Sequence, residues 1–323
     1  MKKPSLCIVT PALADANNGN WQTAQRWARL LSGHYRVRLA REWPDAALPD
    51  ADVLLALHAR RSAASVAAWA RTGRPLLLAL TGTDLYRDIA QDASAQRSIE
   101  LAHRLIVLQE LGPEALPAAL RPKCRVVFQS GARRQTLPKT TAHLRAVMVG
   151  HLRDEKWPQT LFEAAHLLRP DEGIHIDHIG HALDPALGQV AQRTALECAH
   201  YRWLGGLPHA GTRQRIQRAH LLVHTSRMEG GAHVVMEAVL SGTPVLASHI
   251  PGNVGMLGTG YGGYFPPGDV AALVALLRQC RRDLAAPAGR LAALHAQCET
   301  RAPLFDPRAE QAALLGVLSE CLA

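Results

Sequence analysis

The sequence predicts an α/β protein made of two doubly wound halves, each a parallel sheet covered by helices. Short β-rich apolar runs alternate with helical patterns from end to end. Strand–helix–strand alternation with polar turns implies a parallel sheet buried on both faces. The alternation pauses once, at GARRQTLPKTTAH, residues 131–143, a polar stretch that carries Pro138, lacks periodicity and reads as a linker. A chain of 323 residues agrees with about two domains.

In the first half, residues 5–10, 36–40, 53–57, 76–81, 105–108 and 125–128 read as strands, and 21–31, 63–71, 93–103 and 114–120 as helices. The start, MKKPSLCIVTPALAD, superficially resembles a signal peptide, but Pro4 and Pro11 bracket six residues, the size of a buried strand. A first strand, and with it a cytoplasmic protein, is the expectation. In the second half, strands are expected at 144–149, 174–179, 201–204, 221–225 and 245–248, and helices at 157–168, 185–197, 211–219, 231–241 and 270–282. A helix-rich tail ends in 307–321.

Hydrophobic residues make up 48% and charged residues 20%, which excludes a largely disordered chain. With aromatics at only 5%, the cores must rest on Leu, Val, Ile and Ala, and the tryptophans read as helix anchors. No run of about 18 uncharged apolar residues occurs, so no membrane-spanning helix is expected. Cys7, Cys124, Cys198, Cys280, Cys298 and Cys321 form no CxxC pair, which points to reduced thiols rather than disulfides or zinc. The net charge of +9 favours anionic partners. Its arginines are scattered rather than striped with aromatics, so a small anionic substrate is expected and nucleic acid is not. The 16 histidines are dispersed; His175 and His178 lie on a strand, and His58 and His103 near domain edges. None has metal-ligand spacing such as HExxH, and no essential divalent metal is expected.

Two segments carry chemistry. Val149-Gly150-His151-Leu152-Arg153-Asp154-Glu155-Lys156 follows an apolar strand and precedes a helix. Strand, glycine turn and helix start form a phosphate-cradling arrangement, to which Arg153 and Lys156 add charge. Alone, this is also compatible with an ordinary turn bearing solvated charges. In Ser226-Arg227-Met228-Glu229-Gly230-Gly231-Ala232-His233-Val234-Val235-Met236-Glu237-Ala238, Gly230 and Gly231 let backbone approach a ligand closely. Carboxylates such as Glu229 and Glu237 each accept two hydroxyl hydrogen bonds, which suits a sugar and a ribose.

These segments resemble a family. VGHLRDEKWPQTLFEA, SRMEGGAHVVMEAVLSGTPVLAS and YFPPGDVAALVALL occur in the order found in retaining-type family 4 glycosyltransferases, including their Glu-x7-Glu spacing, across residues 144–283. The resemblance implies the GT-B fold: two Rossmann-like domains facing across a cleft, acceptor on the first and nucleotide-sugar on the second. It places the first domain at 1–138, the second at 139–305, and a final helix at about 306–323 crossing back. It implies that Lys156 holds the donor diphosphate. The family's paired arginine falls at His151, with Arg153 as a substitute. Ser226, Glu229, Gly230 and Gly231 are implied near the donor sugar and Glu237 at the ribose. Pro251-Gly252-Asn253-Val254-Gly255 resembles the family's glycine loop. UDP-sugar is a substrate, and no cofactor is implied.

In the first half, Asn17-Asn18-Gly19-Asn20 precedes helix 21–31, like the family's acceptor loop, with Thr23 and Arg26 in the first turns. A surface loop with an Asn cap is the alternative. Thr81 stands where many family members have the histidine of a His-Gly pair, and Thr83 follows. TGTDLYRD, LRDEKWP and EGGAHVVMEA look like one subgroup, the selenosugar synthases of selenoneine biosynthesis. That resemblance implies transfer from UDP-N-acetylglucosamine or a related UDP-sugar to selenophosphate. A selenium nucleophile arrives anionic and polarisable, so the missing histidine is no obstacle. Asn20, Thr23, Arg26, Thr81 and Thr83 are then expected to hold the acceptor anion, with Thr81, Glu229 and Lys156 nearest the chemistry. Two alternatives remain. One is an oxygen acceptor such as a lipid or polysaccharide, for which Trp21, Trp27, Arg26 and Arg29 offer a weak amphipathic face, without stable membrane anchoring. The other is a nucleotide-sugar sensor without catalysis.

Overall fold

The computed structural model describes residues 3–11, 19–45 and 50–322, so Asn17 and Asn18 lie outside the described residues. The chain divides into unit 1, Met1–Ser130 with Asp306–Ala323, and unit 2, Gly131–Phe305. The division falls at Ser130, so 131–138 belong to unit 2.

Unit 1 runs β1 (Ser5–Val9), α1 (Gly19–Leu31), β2 (Arg36–Ala40), β3 (Val53–Leu57), α2 (Ala63–Ala70), β4 (Leu76–Ala79), α3 (Ile89–Gln91), α4 (Ala93–Leu101), β5 (Arg104–Val107) and β6 (Cys124–Val126). Its strands form one parallel sheet in the order β2-β1-β3-β4-β5-β6. β3 and β4 read VLLAL and LLLA without a polar break because both sheet faces are covered. Alternate side chains feed opposite layers. Leu54 and Ala56 join Trp69, Leu76 and Leu105 on one face. Val53, Leu55 and Leu57 join Leu6, Ile8 and Trp27 on the other. The terminal helix (Pro307–Leu322) completes the second layer with Leu314, Val317 and Leu318.

One sequence expectation in unit 1 is corrected. Residues 114–120 form no α-helix but two 3-10 turns, Gly112–Ala115 and Ala118–Lys123. Pro117 lacks an N–H and forces Leu116 into an extended conformation (φ −98°, ψ 153°), which breaks the helix.

Unit 2 runs β7 (Leu144–Val149), α5 (Gln159–Leu167), β8 (Ile174–Ile179), α6 (Pro185–Glu197), β9 (Tyr201–Trp203), α7 (His209–Arg218), β10 (Leu221–His224), α8 (His233–Val239), β11 (Val245–Ser248), α9 (Pro251–Leu257), β12 (Tyr264–Phe265), α10 (Val270–Arg282) and α11 (Arg290–Arg301). Its sheet is parallel in the order β12-β11-β10-β7-β8-β9. The glycine loop expected at 251–255 is therefore the start of a short helix, α9. The stretch read as a linker, 131–143, carries no helix or strand but is strapped along unit 2. Arg134 N donates to Leu240 O at 2.8 Å, and the side chains of Arg213 and Gln217 donate to Ala132 O and Gln135 O at 3.0 and 2.6 Å. The two ends of unit 2 meet, with Gly131 N donating to Phe305 O at 3.2 Å.

All six cysteines are free thiols, five of them buried. Among the described residues, no helix is long and apolar enough to cross a membrane.

Candidate functional site

In a doubly wound sheet, ligands bind beyond the carboxyl ends of the strands, where the strand order reverses. In unit 2 that reversal lies between β7 and β10. The two segments singled out above emerge there. After β7, residues Asp154–Lys156 make a 3-10 turn closed by Trp157 in a left-handed conformation (φ 44°). After β10, residues 225–232 form an irregular loop before α8. The loops are stapled together. Arg227 N donates to Glu155 O at 2.9 Å, Thr225 Oγ1 to Lys156 O at 2.8 Å, and Arg227 Nη1 to Asp154 Oδ1 at 2.9 Å. The Arg227 guanidinium lies 3.8 Å from the Trp157 ring centroid.

This staple brings Lys156 and Glu229 together from 73 residues apart: Lys156 Nζ donates to Glu229 Oε1 at 2.5 Å. Ser226 Oγ donates to the same oxygen at 2.7 Å, and His224 Nε2 lies 3.2 Å from it. Burial by itself would raise the Glu229 pKa, but the Lys156 charge and hydrogen bonds from His224 and Lys156 hold it well below the carboxylate range. Burial lowers the His224 pKa, against the pull of Glu229. Glu229 stands on a floor made by α9, where a Cβ on Gly252 would fall 2.0 Å from Glu229 O. Ser248 Oγ, itself bonded by Asn253 Nδ2, donates to Ser226 O at 2.5 Å and fixes the loop from below.

Glu237 is placed elsewhere on α8. Its Oε1 accepts from His209 Nε2 at 2.7 Å and lies 3.5 Å from Arg213 Nη1, so its partners come from α7. The hydrogen bond from His209 to this carboxylate raises the His209 pKa. His151 stacks on His181 with ring centroids 5.6 Å apart, and its Nδ1 accepts from His181 N at 3.1 Å. Burial, then the neighbouring His181, Arg153 and Lys156, lowers the His151 pKa. Arg153 is exposed, with Nε 3.8 Å from Glu155 Oε2. Gly230 is buried and Gly231 half-buried in the bend before α8. Lys156, Ser226 and Glu229 thus share one oxygen, while Glu237, His151 and Arg153 have separate partners. Sequence reasoning missed His224 and His209. His224 sat inside a strand pattern, and the partnership of His209 with Glu237 spans 28 residues.

In unit 1 the order reverses between β1 and β3, and Thr81 and Thr83 follow β4. Thr81 and Gly82 donate their backbone N–H groups to Asp84 Oδ1 at 2.8 and 3.0 Å, and Ala59 N donates to Asp84 Oδ2 at 3.0 Å. The fully buried Asp84 thereby ties the ends of β3 and β4 together. Thr83 Oγ1 lies 3.2 Å from Nε2 of the buried His58, a residue held at φ 73° at the end of β3.

The expected role of Arg26 as an open anion fork is revised. Its Nε donates to both oxygens of Glu310, at 3.1 and 3.0 Å, and the same carboxylate takes Trp27 Nε1 at 2.6 Å and Ser130 N at 2.9 Å. Thr23, only 2% exposed, donates to Gly19 O and accepts from Gln129 Nε2 at 2.6 Å. Asn20 lies in the first turn of α1. Among the described residues, no cluster of three His, Cys, Asp or Glu side chains is arranged to hold a metal.

Residues 129–286, just under half of the chain, match the family described as glycosyl transferases group 1. The matched stretch covers most of unit 2. The chain as a whole has the GT-B fold. It is similar to HepE (Alr3699) of Anabaena, solved with UDP and glucose, at 17% identity and TM-score 0.74, over 98% of this chain and 100% of that one. It is also similar to the sucrose-phosphate synthase of Thermosynechococcus elongatus, at 17% identity and TM-score 0.72, over 99% of both chains. The pneumococcal O-GlcNAc transferase GtfA, solved with UDP and GlcNAc, matches at 18% identity and TM-score 0.65, over 83% of this chain and 57% of GtfA.

Proposed function

We propose that this protein is a glycosyltransferase that takes its sugar from a UDP-sugar, N-acetylglucosamine being the favoured sugar, and gives it to selenophosphate. The observation that carries the donor half is the Lys156–Glu229 pair at the strand reversal of unit 2. Lys156 is poised to turn from one anion to another. When a diphosphate arrives, the ammonium binds it by charge-assisted hydrogen bonds, and Glu229, released from part of its pairing, accepts hydroxyl protons of the sugar. Glu237, with His209 beside it, offers a carboxylate to ribose hydroxyls. UDP or UDP-glucose in structures of HepE supports UDP as the carrier.

The acceptor half rests on the subgroup resemblance and on the chemistry of unit 1. A selenium lone pair forms the bond to the anomeric carbon while the bond from that carbon to the diphosphate oxygen breaks. UDP leaves with the electron pair, and Lys156 stabilises its growing charge. No proton needs removal from the nucleophile. Thr81 and Thr83, hydroxyl donors without basic strength, suit that requirement, with Asn20 joining them; Thr23, buried and bonded to Gly19 and Gln129, drops out of the expected acceptor set. The lipid-acceptor alternative loses its footing, because Trp27 is fully buried and Arg26 is paired with Glu310. Incubation with UDP-N-acetylglucosamine and selenophosphate, followed by mass spectrometry, tests the reading. UDP and a product whose sugar is bonded to selenium, with the phosphoryl group still on that selenium, are expected. Sugar transfer to an oxygen acceptor only, or binding of UDP-sugar without turnover, overturns it.

A further inference from the structure

At the amino ends of β10 and β11, opposite the end that carries Glu229, unit 2 holds a cavity of about 250 Å³. His220 and Pro244, which immediately precede the two strands, form part of its wall, and Leu137, Leu284 and Leu291 supply an apolar part. The strap 131–143 brings Lys139 into it. That ammonium has no carboxylate within 4 Å among the described residues, and its nearest acceptors are Gly242 O at 3.4 Å and Thr243 Oγ1 at 3.5 Å. Burial pushes the Lys139 pKa down to about 8, with no neighbouring charge to oppose it. Nε2 of His295, on α11 and also in the wall, makes no hydrogen bond, and its nearest carboxylate oxygen, Glu299 Oε1, is 4.0 Å away. The threonines Thr136, Thr140 and Thr141 line the rim, and the lining contains no Asp or Glu. His220 is already used: Nδ1 accepts from Arg145 N at 2.9 Å and Nε2 donates to Thr140 O at 2.8 Å.

Lys139 is half-buried, and a cation partly withdrawn from water without a counter-charge favours an anion beside it. Here it stands in a space several times the volume of a water molecule (~30 Å³), with unused donors on one side and leucines on the other. We propose that this cavity binds a small organic anion, a carboxylate or a phosphate ester, whose charge meets Lys139 and His295 and whose short apolar part lies on Leu137, Leu284 and Leu291. The site is separate from the donor groups. It lies at the other end of β10, whose span from His220 to His224 is about 13 Å at ~3.3 Å per residue.

Calorimetry on the full chain with two probes, butyl phosphate and hexanoate, tests this. One-to-one binding of a probe at millimolar concentration is expected. Binding of the ester alone assigns the phosphate class, and of hexanoate alone the carboxylate class. The affinity should be unchanged in Lys156→Ala. It should fall about tenfold or more in Lys139→Met, the loss expected for a charged hydrogen bond. Ala292→Phe, which fills the cavity and leaves the ammonium in place, should also lose binding. The proposal is overturned if neither probe binds, if Lys139→Met binds as tightly as the unsubstituted protein, or if Lys156→Ala abolishes binding.

Discussion

Both units are six-stranded parallel sheets, wound in different strand orders, and they treat charge in opposite ways. Beyond the sheet of unit 2, Lys156 and Glu229 meet as a nearly buried pair with side chains 14% and 12% exposed, close enough to solvent for an anion to compete. In unit 1 the charges are spent on the fold. Asp84 is consumed by three backbone amides, and Glu310 by Arg26, Trp27 and Ser130. A carboxylate near the end of a parallel strand is thus no guide to function by itself. What distinguishes the functional candidate is a partner that can be exchanged.

The sharpest way to break this contrast is Glu310→Ala. It strips the counter-charge from Arg26 and leaves the Trp27 indole unpaired, and should cost about 3–5 kcal/mol of stability, read by urea unfolding. A loss below about 1 kcal/mol would mean that unit 1 does not depend on the network.

Next in size is acid sensitivity in unit 2. His178, fully buried against the Tyr201 hydroxyl, has its pKa lowered by burial to about 4. Above about pH 6.5 it is neutral in both folded and unfolded chains. Below that, the unfolded chain takes up the proton first, so stability falls until about pH 4. The total is about 3 kcal/mol. His178→Phe should flatten this slope in urea titrations at several pH values, and an unchanged slope would assign the sensitivity to other groups.

Lys156→Ala should weaken UDP binding by about 1.5–3 kcal/mol, measured by calorimetry, and should also lower Tm, because Glu229 loses the charge that offsets its burial. The smallest effect is expected at Thr81. Its hydroxyl lies 3.4 Å from Asp84 Oδ1, while its backbone N–H makes the stronger bond. Thr81→Val should therefore cost at most about 1 kcal/mol of stability and show itself instead in kcat/KM for selenophosphate. A variant with full activity removes Thr81 from the acceptor set.

The fold was legible because parallel strands buried on both faces announce themselves as unbroken apolar runs. β12 was missed because two residues, Tyr264 and Phe265, leave no period to count. α9 was read as a loop from its resemblance to the family's glycine loop. Only its burial against the Glu229 loop makes it helical, and that is a tertiary cause. In the candidate site, Lys156, Ser226 and Glu229 stood out within short segments, and the fold brings the three together. Arg26 was misjudged because its partner lies 284 residues away, and no local pattern around either residue marks the pairing. Glu237 was found, but not the imidazole that holds it.

The terminal helix has a consequence for how this chain is made. Leu314, Val317 and Leu318 complete the layer that Leu6, Ile8 and Trp27 begin, so the first half emerges from the ribosome with one face of its sheet covered only in part, by α1. Unit 2, continuous from Gly131 to Phe305 with its two ends joined, has all its strands before that helix is synthesised. The second half of the sequence can therefore fold first, and the first half must wait, open and sticky, for the last turns of the chain. Loss of those turns would leave unit 2 intact and unit 1 unsealed.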